Sequence, residues 1–430
     1  MVHEPAIPPA CTRLEARLTA INGKTLAAAD ESKLDTTRIQ EALDHCAPGH
    51  AVELEADGAK TAFLSGPLAL RAGVTLLIGK GVILFGSRNP RDYDLSPGSC
   101  GIVTRTGHGC KPLISGNHAP NAAVMGDGTI DGRGWAKLLG GESSWWDLAQ
   151  EAKVKKENQN CPRLIALMHC DNFTLYRITL KNAPNFHVFY GDGDGFTAWG
   201  VIINTPKTAR NTDGIDPSSS TNVTITHCYI HAGDDNIAIK AGNDGPATHM
   251  SIVHNHFYTG HGVSIGSETN GGASDIVVHY LSIDGADNGL RIKSNSSRGG
   301  HVHGVIYKNV CIRNTKNPIL MDSNYSFYGK ARNELPTFNG IVLQNVHILS
   351  PGRITLDGYD AAHRLGIKFD NVILDAPGLT QISAVHADVS LGPGPVNFRP
   401  RGEDVTVAGN PGTGNPYACE GKFPPLPISP

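Results

Sequence analysis

The chain has 430 residues, only 18% of them charged, with 37 Lys and Arg against 40 Asp and Glu for a net charge of −3. A balance so close to neutral sets up no global field for a polyanion such as nucleic acid, so any acidic ligand has to be held by local cations. No apolar run approaches the ~20 residues of a membrane span, and fifty glycines with so little charge fit a turn-rich β structure rather than a helical one.

The N-terminus, Met1-Val-His-Glu-Pro, lacks the basic and apolar regions of a secretory signal, so the signal has been removed or the protein stays inside. Nine cysteines bear on that choice. Cys11 with Cys46 would staple the N-terminal segment to the helix that follows, and Cys100 with Cys110 would close a Gly-rich loop. Local pairs of this kind favour an oxidising, extracellular setting. Buried free thiols are the alternative, and the preferred one for Cys228 and Cys311, which fall in strand runs. An odd total leaves at least one thiol unpaired within the chain.

Thr37-Arg-Ile-Gln40 forms a capping-box pattern, and Ile39, Ala42, Leu43 and Cys46 repeat at i, i+3, i+4 and i+7, which predicts a short amphipathic helix over about 36–46. A second helix is expected from Ser144 through Trp145, Trp146, Leu148 and Ala149 towards Lys156. The two tryptophans suit its packing better than sugar stacking.

From there on the hydrophobic pattern repeats. Segments of alternating apolar residues start at Phe173, Phe196, Val223, Met250, Ile276, Val305, Ile341 and Ile367, at intervals of 23, 27, 27, 26, 29, 36 and 26 residues. Period-two alternation rich in β-branched residues, with Gly, Asn and Asp between the runs, is a strand-and-turn pattern. A repeat of this length without crossover helices fits a parallel β-helix, in which equivalent residues of successive coils lie ~4.8 Å apart. The fold class expected is therefore all-β, one parallel β-helix domain over residues 1–430. The N-terminal helix would cap the core that a solenoid exposes at its end, and a Pro-rich tail runs over about 411–430.

Four signatures ride on this repeat: Asn211-Thr212-Asp213, Gly233-Asp234-Asp235, Gly260-His261-Gly262 and Arg291-Ile292-Lys293. From Asp213 to Asp234 is 21 residues, to His261 a further 27 and to Arg291 a further 30, so each can occupy the next rung. Alone, an Asp-Asp pair is more often a solvated turn and a single histidine a surface or core residue. Stacked together, three carboxylates cannot all ionise, and one is held protonated as an acid while the others serve as bases. Adjacent strand residues point to opposite faces, so Asp234 and Asp235 share a site only if the backbone leaves regular alternation, for which Gly233 gives the opportunity. His261 would tune or reprotonate the acid. Arg291 and Lys293, two apart on one strand face, would grip a sugar carboxylate. No zinc-like or EF-hand spacing is present, so no metal is expected.

Together these signatures resemble the polygalacturonases of glycoside hydrolase family 28, most closely the bacterial endo-acting enzymes that degrade plant pectin. Phe63-Leu-Ser-Gly-Pro-Leu, Gly128-Thr-Ile-Asp-Gly, Pro184-Asn-Phe-His, Gly193-Asp-Gly-Phe-Thr and the cysteines at 11, 46, 100 and 110 add to the likeness. The resemblance implies a right-handed parallel β-helix with an open groove, no cofactor, and single-displacement, inverting hydrolysis of α-1,4-linked polygalacturonate by a secreted monomer with no nucleic-acid or membrane partner. It assigns Asp234 as general acid, Asp213 and Asp235 to the attacking water, and His261 to support of the acid. Arg291 and Lys293 bind a galacturonate carboxylate, Asn211 borders the site, and Tyr325 lines the groove. Inverting enzymes usually hold their two carboxyls ~6.5–9.5 Å apart, a separation that neighbouring coils would shorten. A pectate or pectin lyase, expected to use calcium and a basic residue, and a non-enzymatic β-helix adhesin are the competing readings.

Overall fold

The computed structural model describes residues 2–242, 244–325 and 334–427. Its strands run overwhelmingly in parallel ladders, forming a right-handed parallel β-helix. Among the described residues there are two α-helices, α1 (Thr36–His45) and α2 (Trp145–Lys155). The chain divides into two compact units, Met1–Ile215 with Ala232–Asp234 and Asp216–His231 with Asp235–Pro430.

In the first unit each coil contributes to three ladders. One runs through His50–Glu55, Val74–Ile78, Ala123–Met125 and Phe173–Tyr176, a second through Ala62–Ser65, Ile83–Gly86, Thr129–Asp131 and Thr179–Lys181, and a third through Leu68–Ala69, Ile114–Asn117, Ile165–Met168 and Val188–Gly191. The repeat read from the sequence is the register itself. Phe173 pairs with Phe196 in the first unit, and in the second Val223, Met250, Ile276, Val305, Ile341 and Ile367 follow one another as direct ladder partners. Alternate residues point inward, so Ile225, Ile252, Val278, Tyr307, Leu343 and Phe369 stack in the buried core. The Asn of each later repeat turns the chain. Asn309, Asn345 and Asn371 all have φ of +55°, a left-handed conformation that Asn tolerates, and the amides of Asn345 and Asn371 donate to Oδ1 of the preceding Asn at 2.8 and 2.9 Å.

Helix α1 does more than bury Ile39 and Leu43. Its polar side chains satisfy ladder groups that an end coil leaves unpaired. The Gln40 amide donates to Ala69 O and accepts from Ala69 N, Asp35 Oδ2 accepts from Leu64 N, and Thr36 Oγ1 accepts from Gly66 N. The capping box expected at Thr37 and Gln40 is thus not formed. Asp35 is the N-cap residue, its side chain makes no cap hydrogen bond within the helix, and Gln40 faces the strand edge. Helix α2 does carry a capping box, between Ser144 and Asp147. Trp145 is fully buried and Trp146 Nε1 donates to Ala183 O.

Cys11 bonds to Cys46 and Cys100 to Cys110, as expected, while Cys161, Cys170 and Cys228 are buried thiols. Cys311 corrects the sequence reading: it bonds to Cys419, 108 residues on. Strand propensity at Cys311 could not reveal this, because its partner lies in the Pro-rich tail. That tail runs back over earlier coils of the second unit, where Tyr417 O meets His347 Nδ1 at 2.9 Å, Phe423 receives the Arg313 guanidinium 4.1 Å above its ring, and Pro424 O accepts from Tyr258 Oη. Cys419→Ser is expected to cost about 2–4 kcal/mol in denaturant unfolding; an unchanged midpoint and slope would show that the tail contributes nothing to the stack.

His187 is fully buried in the first unit, with Nδ1 at 2.9 Å from Asp213 O and Nε2 at 2.7 Å from Thr205 Oγ1. Burial pushes its pKa from 6.5 to about 4. Between those values the unfolded chain binds a proton that the folded chain does not, so stability is complete above pH 6.5 and falls towards pH 4, by on the order of a few kcal/mol. His187→Asn should flatten that part of the stability profile; parallel wild-type and variant curves between pH 6.5 and 4 would contradict the assignment.

Candidate active site

The first three signatures lie just outside strands, where the coil turns, and the fourth lies within one. Asn211 precedes the strand Ile215–Ser218, sits at φ +56°, and reaches Asp234 Oδ2 with its amide at 3.5 Å. The next residue ties the turns together. Thr212 Oγ1 donates to Ala209 O at 2.7 Å and accepts from Gly233 N at 3.0 Å. Gly233 is required by this close approach, since a Cβ there would lie 2.0 Å from Ala209 O. Asp213 is 4% exposed, and its carbonyl accepts from His187 N at 2.9 Å. Asp234 and Asp235 occupy the bend between Tyr229–His231 and Ile237–Ile239, so the departure from strand alternation expected at Gly233 is present.

In the second unit Asp235, 2% exposed, is the hub. Its Oδ2 receives Lys293 Nζ at 2.8 Å, and its Oδ1 receives Arg291 Nη1 at 3.2 Å and Ser264 Oγ at 2.7 Å. His261 Nδ1 stands 3.8 Å from Oδ1, and its Nε2 lies 3.9 Å from Asp287 Oδ2. The ladder explains the convergence, because Ser264 pairs directly with Arg291 while Lys293 lies two residues further along the same face of Asn288–Lys293. Tyr325 covers the cations, its ring 5.4 Å from the Arg291 guanidinium and 5.6 Å from Lys293 Nζ. It is anchored by Asn295, whose amide donates to Tyr325 O at 2.8 Å.

Four residues that sequence reasoning missed belong here: Ser264, Asn236, Asp287 and Asp357. Asn236 is fully buried, donates to Ile230 O and Thr259 O, and accepts from Gly262 N at 2.8 Å, thereby holding the turn that carries His261 against the Asp235 bend. Gly262, at φ +73°, has no room for a Cβ, which would meet Gly289 O at 1.9 Å. Asp322 and Asp357 follow Lys293 on the next two rungs. Burial, with Asp322 beside it, pushes the Asp357 carboxyl up to about 6. The one available signal was register: Ser264 stands three residues after His261, opposite Arg291 in the next coil.

The model of "Glycosyl hydrolases family 28" matches residues 46–391. The chain belongs to that family. It is 46% identical over 385 residues to an endo-polygalacturonase of Pectobacterium carotovorum subsp. carotovorum, covering 89% of this chain and 91% of the relative. It is 39% identical to a polygalacturonase of Ralstonia solanacearum, over 99% of this chain and 92% of that one. The solved polygalacturonase of Erwinia carotovora ssp. carotovora superposes with a TM-score of 0.84 at 43% identity, covering 90% of this chain and 98% of the other. The chain is therefore a glycoside hydrolase.

As for a metal, both Asp235 oxygens are already engaged by cations or a hydroxyl, and a divalent ion sharing them would meet two resident positive charges. The donor set suits a charge-compensated carboxylate. Lys293→Met leaves that buried carboxylate half-compensated and should cost about 3–5 kcal/mol of folding stability; chemical denaturation showing no loss would mean the pair is not coupled.

Proposed function

We propose that the chain is an endo-polygalacturonase that hydrolyses α-1,4-galacturonosyl bonds of demethylated pectin with inversion. Asp234 protonates the leaving glycosidic oxygen. Asp213 and Asp235 orient a water, which attacks the anomeric carbon on the opposite face and gives up its proton to a carboxylate. Arg291 and Lys293, compensated by Asp235, present positive charge to the uronate carboxylate of a bound sugar. Tyr325 lines the groove beside them, Asn211 positions Asp234, and His261 restores the acid's proton between turnovers. No cofactor or metal enters the reaction.

What carries the reading is the set of charge-assisted contacts on Asp235, the residue that follows Asp234 directly in the chain, in a member of family 28. The relatives at 45–46% identity that are named endo-polygalacturonases favour internal cutting over cutting from chain ends. Three disulfides fit a secreted enzyme, and we read it as a monomer.

On polygalacturonate, viscosity is expected to fall steeply while few reducing ends appear, and Asp234→Asn, which keeps the shape and removes the acid, should lower kcat by at least a thousandfold, on the order of 4 kcal/mol, with unfolding unchanged. Unsaturated ultraviolet-absorbing products would make the enzyme a lyase. Reducing ends rising without early loss of viscosity would make it exo-acting.

A further inference from the structure

Beside the contacts on Asp235, the second unit holds a further set of charges that the catalytic assignment does not use. Asp216, fully buried, accepts from Lys240 Nζ at 2.7 Å. On the next coil Ile265 pairs with both Ile239 and Ile292, and the residue after it is Gly266, where a Cβ would lie 2.0 Å from Lys293 O. Lys240 and Lys293 thus stand on either side of a rung that places no side chain between them. Glu268, two residues past that glycine, supplies a negative charge to both.

The segment that carries Glu268 is bonded to each neighbouring coil. The Glu268 carbonyl accepts from Ala241 N at 2.8 Å, directly after Lys240, and Thr269 Oγ1 meets Ser294 Oγ at 2.6 Å, directly after Lys293. Arg298 Nη2 lies 3.0 Å from Glu268 Oε1. Burial raises the Glu268 pKa, but the charges of Lys240, Arg298 and Lys293 outweigh it and leave the carboxyl below its ordinary value. Lys293 therefore answers to two carboxylates, Asp235 in direct contact at 2.8 Å and Glu268 through its charge.

We infer that Glu268 is a positioning residue that acts through Lys293, holding its ammonium against the pull of Asp235 and of a bound uronate. Signs alternate along Asp216, Lys240, Glu268, Lys293 and Asp235, so the loss of one member leaves its neighbours uncompensated. The inference rests on the polygalacturonate-hydrolase reading, in which Lys293 meets the sugar carboxylate, and adds a residue that works one step behind that contact.

The test is Glu268→Gln, which keeps the shape and removes the charge from a side chain 32% exposed, where the fold tolerates the change. On polygalacturonate kcat is expected to fall by about tenfold to a hundredfold, the effect of misplacing a binding group. KM should stay the same or fall, because the site gains one net positive charge. Glu268→Asp returns the charge and should recover part of kcat, which a space-filling role would not allow. Unchanged kinetics, a higher KM at constant kcat, or a Glu268→Asp enzyme no more active than Glu268→Gln overturns the inference. In protein made with isotope-labelled lysine, the Lys293 ammonium resonance should also move in Glu268→Gln and return towards its wild-type position in Glu268→Asp. That readout needs no turnover. If wild type releases no reducing ends from polygalacturonate, the hydrolase reading fails, while the coupling of Glu268 to Lys293 stands on the moved resonance and falls if it stays in place.

Discussion

Ladder pairing between successive coils is the constraint on which everything else depends. Each coil presents its backbone N–H and C=O groups to the next at ~4.8 Å, and a one-residue slip would turn every inward side chain outward. Ile225, Ile252, Val278, Tyr307, Leu343 and Phe369 are all buried, so the register is strongly specified. Side chains at equivalent turns are then carried to equivalent places, and a polar group placed there has a neighbour it cannot avoid.

The catalytic candidates exploit that constraint at the turns rather than on the strands. Glycines at 233 and 262 let backbone segments approach closer than any Cβ permits, and Thr212 and Asn236 then bond across the gaps. A buried carboxylate such as Asp235 is costly unless it is paired and hydrogen-bonded. Lys293, Arg291 and Ser264 meet that requirement, and the same cations are chemically suited to an acidic sugar.

The ends of a stack need separate solutions, and this chain uses side chains and covalent bonds. At the start, Asp35, Thr36 and Gln40 bond backbone groups of the strand edge. Later in the chain the tail is tied to strand His301–Arg313 through Cys311–Cys419 and packs through Phe423 and Pro424. The first of these was half legible: the helix was evident from Ile39 and Leu43, but the use of Gln40 was not, because an i, i+3 pattern reads the same whether the amide turns back to its own helix or across to a strand.

Fold class, repeat length and the identity of the acidic and basic signatures are properties of the sequence alone, because alternation of period two and turn residues at fixed intervals leave few alternatives to stacked parallel strands. The four signatures were legible for the same reason: they recur in phase with that repeat. Tertiary structure alone decided who bonds whom. Arg291 and Lys293, expected to bind a sugar carboxylate, are also the hydrogen-bond partners of Asp235. Ser264 joins them although nothing local distinguishes it from other strand serines. Cys311 stays within its strand yet pairs with a residue 108 positions away. Such choices depend on distances between segments remote in sequence, and those exist only once the coils are wound in register.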